Sequence, residues 1–254
     1  MTGGGTGLGR TTALQFAKLG ASVLVVGRRE EKLKESADEI LTAGGNVETF
    51  ALDIRDAAKV QQMVDRAVER FGRIDVLINN AAGNFVSRAE DLSVNGWNAV
   101  VNIVLHGTFY CTRAAGLQMI RQNKGSIISV VHPQALSGSP GNVHSAAAKA
   151  GVITMTKTLA VEWAQYNIRL NTIAPGPFPS EGTVRNLWPD EESKKIISDA
   201  VPLRRFGTRE EISNAICYLA SEYGSYITGN NLVIDGGWSL EREGFLFLEK
   251  KKPG

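Results

Sequence analysis

The chain has 254 residues, 43% of them hydrophobic, and a formal net charge of +2. That length and apolar content suffice for one large domain with a substantial core, and a charge this small gives no electrostatic case for a nucleic-acid partner. No apolar run reaches the roughly 18 residues of a membrane span and no signal peptide precedes the first motif, so the expectation is a cytoplasmic protein without a membrane partner.

The first motif is Thr2-Gly3-Gly4-Gly5-Thr6-Gly7-Leu8-Gly9. Glycines at 3, 7 and 9 suit a tight turn, close backbone approach to a pyrophosphate, and close packing of the following helix. That helix, expected from Arg10 to Leu19, would aim its N-terminal N–H groups at phosphates, with Thr6 and Leu8 in the same cradle. Alone, such a loop fits a flexible terminus equally well. Here an apolar strand follows at 21–26, then Gly27-Arg28-Arg29, which completes half of a dinucleotide-binding unit. The strand that should precede Thr2 is absent, with Met1 standing where about five apolar residues belong. The expectation is a chain truncated at its first strand or given a displaced start.

Further helices are predicted near 30–43, 56–71, 94–122, 145–166 and 208–221. Strands are predicted at Val47–Leu52, Asp75–Asn79, Ser126–Val131, Ile168–Ala174 and Asn231–Ile234. Alternation without a linker predicts a single α/β domain over 1–254, a doubly wound parallel sheet of the Rossmann type with right-handed crossovers. The rhythm breaks at about 177–205, where Pro177, Pro179, Pro189 and Pro202 punctuate apolar Phe178, Leu187, Trp188, Ile196 and Ile197. An insertion after the C-terminal end of a strand lies where ligands bind in open α/β sheets. It reads as a substrate lid, with a self-packed surface excursion as the alternative.

An NAD site carries an acidic residue after the second strand to bind the ribose 2′-OH. Here that place holds Gly27, with Arg28 and Arg29 able to pair with a 2′-phosphate. The same arginines could instead be the solvated start of the next helix. NADP(H) is the expected cofactor. Cys111 and Cys217 read as reduced core thiols, no residues have metal-ligand spacing, and the tail at 249–254 reads as a solvated end.

Across essentially its whole length the chain resembles the short-chain dehydrogenase/reductase family. Thr2-Gly3-x-x-x-Gly7-x-Gly9 matches the family's cofactor loop, and Leu52-Asp53-Ile54 its adenine turn. Asn79-Asn80-Ala81-Ala82-Gly83, Pro175-Gly176 and Asp235-Gly236-Gly237 match further segments, and Lys149 the lysine bound to the nicotinamide ribose. The resemblance thus implies that Asp53, Asn80, Ala81, Lys149, Pro175 and Gly176 join the cofactor site.

The acid positions depart from the family. Its tyrosine falls at Ser145, its serine at His132 and its helix asparagine at Val104. Reducing a ketone produces an alkoxide that needs a positioned acid, and serine is a poor one. The 2,4-dienoyl-CoA reductases are the subgroup that this chain resembles most specifically, through Asn84-Phe85 after Asn80–Gly83, Ser145 in place of tyrosine, and Pro175-Gly176-Pro177. That resemblance implies hydride transfer from NADPH to the δ-carbon of a dienoyl thioester, giving a 3-enoyl-CoA, with Asn84, Phe85 and Phe178 toward the acyl-CoA substrate. The dienolate formed needs oxyanion donors more than a strong acid.

Where that subgroup carries a loop tyrosine this chain has Gln134, and where it carries an asparagine before the helix glycine it has His106. Lys149, Ser145, His106 and Gln134 are therefore the expected catalytic set. A structural role for His106, and loop-surface roles for His132 and Gln134, stay open, and His144 reads as a contact residue. A carbonyl or alcohol oxidoreductase, such as a 3-ketoacyl reductase, remains the alternative enzyme, and a non-catalytic NADP-binding relative the alternative outside enzymes. The helix at 145–166 is apolar around much of its circumference, which suggests burial on more than one side. The family assembles through it and its neighbour at 94–122, which implies a homotetramer.

Overall fold

A computed structural model describes residues 1–179 and 190–240. In chain order it runs α1 (Gly7–Lys18), β1 (Ser22–Gly27), α2 (Glu30–Thr42), β2 (Asn46–Ala51), α3 (Ala57–Phe71) and β3 (Val76–Asn79). There follow α4 (Val94–Val101), a π-helical turn (Asn102–His106), α5 (Gly107–Gln122), β4 (Gly125–Val130) and α6 (Val143–Trp163). The chain continues with β5 (Ile168–Pro175), α7 (Glu191–Ala200), α8 (Arg209–Ala220) and β6 (Asn231–Ile234). Every strand pairing is parallel, β1 with β2 and β3-β4-β5-β6 in that order. The expected α/β class and strand-helix alternation are the observed ones.

Both faces of the sheet are buried, and neighbouring residues divide between them as a period of two requires. Leu77, Ile127 and Leu170 enter a core with Val60, Val64, Cys111, Ala115 and Met119 from α3 and α5. Ile78, Ile128 and Ile173 enter the opposite core with Leu8, Ile212, Ile216 and Leu219 from α1 and α8. Helix ends follow local chemistry. Asp56 accepts from Ala58 N and Lys59 N at the start of α3, and Gly72 ends it at φ +81. Thr208 and Glu211 form a reciprocal cap on α8.

The helix expected over 94–122 is interrupted by the π turn. Gly107, just after it, packs so closely that a Cβ there would lie 2.7 Å from the Ile54 side chain. The wide turn re-aims the chain onto this contact while keeping the backbone hydrogen-bonded, as π turns beside functional sites commonly do. The segment expected as a lid contains α7, capped by Asp190 and Ser193. Leu187, Trp188 and Pro189 lie outside the described residues, as does the tail at 249–254.

Ahead of α1 the described residues make one isolated parallel pairing, Thr2 with Val26. Between β1 and β3, Val26 N donates to Met1 O at 2.9 Å, Gly4 N to Val26 O at 3.0 Å and Thr2 N to Ile78 O at 3.0 Å. The Met1 ammonium donates to Leu24 O at 2.9 Å, and burial lowers its pKa from 8.0 to about 6. A group whose folded pKa lies below its unfolded one makes the fold more stable as pH rises between the two values. For the chain beginning at Met1, that contribution grows from about pH 6 to about pH 8. Adding about five apolar residues before Thr2, a typical strand length, should raise the melting temperature and flatten this part of its pH profile. Calorimetry at several pH values on both chains checks it; an unchanged profile contradicts it.

Candidate active site

One cleft of about 860 Å³ runs along the C-terminal ends of the strands, from Gly3–Leu8 past Arg28, Asp53 and Asn80 to His132, Gln134, Lys149, Pro175 and Phe178. The glycine loop forms one end. Gly3 has φ +64 and Gly7 φ +53, the left-handed region where a side chain is strained. A Cβ on Gly9 would lie 2.1 Å from Gly3 O, and one on Gly3 would lie 2.9 Å from Ala81 Cα. Thr6 precedes α1 without a side-chain cap, so the first-turn N–H groups are left for a ligand. This uncapped helix end beside a backbone-only cradle fits a pyrophosphate.

Thr2 and Asn80 brace the cradle. Thr2 Oγ1 accepts from Asn80 N at 3.0 Å and Ala81 N at 3.1 Å. Asn80 Nδ2 donates back to Thr2 O and Gly3 O, each at 3.2 Å. Asn80 lines the cleft, but its amide is committed to holding the loop.

Beyond the cradle lie Gly27, Arg28, Arg29, Lys32 and Asp53. Arg55 clamps the Asp53 carboxylate, with Nη2 to Oδ2 at 2.6 Å and Nε to Oδ1 at 3.0 Å. Arg55, and more weakly Arg28, hold that carboxyl below its ordinary pKa. Lys32 bonds Glu35 at 2.7 Å. Arg28 and Arg29 are exposed and make no ion pair among the described residues.

At the other end Lys149, buried on α6, donates through Nζ to Val130 O. Burial lowers its pKa from 10.5 to about 8. His132, just past β4, is pushed down to about 4, first by burial and then by the Lys149 charge, so its imidazole is neutral near pH 7. Gln134 Oε1 accepts from Ser139 Oγ at 3.3 Å, which leaves its amide N–H groups as donors. Phe178, Ser193, Ile196, Ile197 and Trp238 complete the wall toward α7.

Of the expected site residues, Gly3, Thr6, Gly7, Leu8, Arg28, Arg29, Asp53, Asn80, Ala81, Asn84, Gln134, Lys149, Pro175, Gly176 and Phe178 line this cleft. Gly9 acts from behind the loop. Ser145 is buried and outside the lining, and His106 is exposed, with its ring centroid 6.4 Å from that of Tyr110. Phe85 also lies outside the lining, although Asn84 and Val86 on either side of it are within. Sequence reading missed Lys32, one turn along the helix that Arg29 opens, and Trp238, directly after Asp235-Gly236-Gly237. Among the described residues no group of side chains could hold a metal ion, and no helix is long and apolar enough to cross a membrane.

A family model described as enoyl-(acyl carrier protein) reductase matches residues 3–239. The chain belongs to the short-chain dehydrogenase/reductase family. It is 46% identical over 239 residues to a probable 2,4-dienoyl-CoA reductase, (2E)-enoyl-CoA-producing, of Bacillus subtilis, covering 93% of this chain and 94% of that one. It is 41% identical over 242 residues to probable 2,4-dienoyl-CoA reductase 3, (3E)-enoyl-CoA-producing, of Caenorhabditis elegans, covering 93% and 78%. A crystal structure of a short chain dehydrogenase from Bacillus anthracis superposes with a TM-score of 0.87 at 48% identity, covering 95% of each chain. The protein is an oxidoreductase of this family, and fold and family imply a nicotinamide cofactor. The glycine cradle, the uncapped helix and the buried lysine at the far end fit one.

Burial brings the loss of the Lys149 charge down to about pH 8. Lys149→Ala should weaken cofactor binding and slow turnover together. Turnover of the unmutated protein should fall as pH rises through about 8, where the free protein loses the ammonium. A pH–rate profile and cofactor titration check both, and a variant that binds cofactor and turns over normally contradicts the role.

Proposed function

We propose that this protein is an NADPH-dependent reductase of 2,4-dienoyl-CoA thioesters. The observation that carries the reading is the composition of the cleft's reacting end. It offers neutral His132 and the Gln134 amide as hydrogen-bond donors beside a buried cation, with no phenol at the family's tyrosine position, which Ser145 occupies outside the lining. Such a set suits negative charge that develops on a thioester oxygen better than protonation of an alkoxide.

The bound nicotinamide supplies the hydride, to the δ-carbon of the dienoyl group. His132 and Gln134 donate to the thioester oxygen as the dienolate forms, and Lys149 orients the cofactor's ribose and adds positive potential. His106 is exposed and outside the cleft lining, so the reading assigns it no step. A proton from solvent then adds to the α-carbon, giving the 3-enoyl thioester, or to the γ-carbon, giving the conjugated 2-enoyl thioester. The two relatives above are named for different products. The 3-enoyl product is the reading here.

Preference for NADPH rests on Arg28 and Arg29, which face the cleft without ion-pair partners where an acidic residue would repel a phosphate. Exposed apolar residues on α4, α5 and α6, among them Val94, Phe109, Leu117 and Val161, support assembly into a homotetramer through these helices.

A panel of dienoyl-, enoyl- and 3-ketoacyl-CoA with NADPH should show turnover of the dienoyl thioester. Turnover confined to the ketone overturns the reading. In deuterated water the product should carry deuterium at the α-carbon, and label at the γ-carbon reassigns the product. Gln134→Ala and His132→Ala should each lower kcat by roughly a hundredfold to a thousandfold, while His106→Ala leaves it unchanged. Arg28→Asp should weaken NADPH selectively, and equal affinity of the unmutated protein for NADH and NADPH contradicts the preference.

A further inference from the structure

We infer that Asp235 is a positioning residue for the substrate half of the cleft, holding a turn that carries Trp238 into the wall and seats the C-terminal end of α7. The inference rests on the acyl-thioester reading above for its substrate.

The chain turns directly after β6, over Asp235-Gly236-Gly237-Trp238. Trp238 N donates to Asp235 O at 3.2 Å, and Gly236 and Gly237 have φ +64 and +86. Positive φ at both central residues is the pattern of a type I′ turn, which glycine adopts without strain. Asp235 adds two bonds that the backbone alone does not supply. Its Oδ1 accepts from Gly237 N and its Oδ2 from Ser239 N, each at 2.8 Å. A charged acceptor makes such bonds stronger than a neutral one would. Trp238 lies between these two donors in the chain, is half-buried, and lines the cleft.

The same turn receives α7. Val201, buried at the C-terminal end of that helix, comes within 2.8 Å of where a Cβ on Gly236 would be, and Pro202 within 3.0 Å of one on Gly237. Leu203 N donates to Gly236 O at 3.3 Å. From α7, Ser193, Ile196 and Ile197 line the cleft, spaced three and four apart and so on one helix face. The turn thus sets two parts of the wall, Trp238 directly and α7 through Val201. Its tie to the cofactor side is of another kind. Gly176 N donates to Ile234 O at 3.0 Å, and a Cβ on Gly176 would lie 2.6 Å from Asp235 Cα. Both involve atoms that Asp235→Ala leaves in place, so losing the carboxylate falls on the thioester more than on the cofactor.

The test uses Asp235→Ala, Asp235→Asn, Val201→Ala and the double variant Asp235→Ala/Val201→Ala. Asp235→Ala should raise KM for a dienoyl-CoA by about tenfold, with kcat changed less and NADPH affinity within about twofold. Asp235→Asn keeps one oxygen for Gly237 N and should fall between Asp235→Ala and the unmutated protein. Val201→Ala should raise the same KM, and because both substitutions loosen one seat, the double variant should lose less than the two effects multiplied together. With fluorine-labelled tryptophan, the resonance that Trp238→Phe removes should shift in Asp235→Ala without any substrate, while those of Trp97 and Trp163 stay in place. If the unmutated protein reduces no thioester, the functional reading fails, and the Trp238 resonance still decides the role of Asp235. An unchanged KM, an equal loss of NADPH affinity, independent effects in the double variant or an unmoved Trp238 resonance each overturns it.

Discussion

Thr2 is the residue on which the architecture turns. Its backbone joins β1 to β3, and its hydroxyl receives the N–H groups of Asn80 and Ala81 while donating to Ile78 O. This buried hydroxyl satisfies three backbone groups of β3 and the loop after it at once. The same contacts fix the glycine cradle against the loop after β3. Sheet continuity and the phosphate site therefore depend on one short stretch of chain.

The second constraint is electrostatic. Lys149 sits buried with a carbonyl partner, its charge is the more costly for its burial, and it in turn suppresses protonation of His132. A cation and a neutral imidazole in one cleft give a positive field with weak proton donors. That arrangement stabilises developing negative charge better than it supplies a strong acid. At the far end Arg55 neutralises Asp53 and Glu35 engages Lys32, while Arg28 and Arg29 make no ion pair among the described residues.

Much of this was legible in the amino-acid order. The strands follow from short β-branched runs such as Val23–Val26 and Ile127–Ile128, and the glycine loop is a local motif whose backbone needs are visible in sequence. Spacing from Lys149 also found Gln134 in the cleft. Two features were not legible. Whether a helical residue faces a cleft depends on local winding, and the π turn at 102–106 alters the winding just ahead of α5, where His106 ends up exposed. Phe85 was expected to meet substrate because Asn84-Phe85 resembles the corresponding segment of the 2,4-dienoyl-CoA reductases. Its ring stands outside the cleft lining, with its centroid 4.6 Å from that of His144, a residue distant in sequence that carries no local signal of that contact. Tertiary packing decided both.

The central claim is that hydride reaches a conjugated carbon and not a carbonyl. The most direct measurement is the position of label in the product formed from a dienoyl-CoA and NADPH deuterated at the transferable position. Deuterium at the δ-carbon, resolved by NMR, is the result this account predicts. Deuterium on a carbinol carbon with 3-ketoacyl-CoA, together with none transferred to the dienoyl thioester, would contradict it.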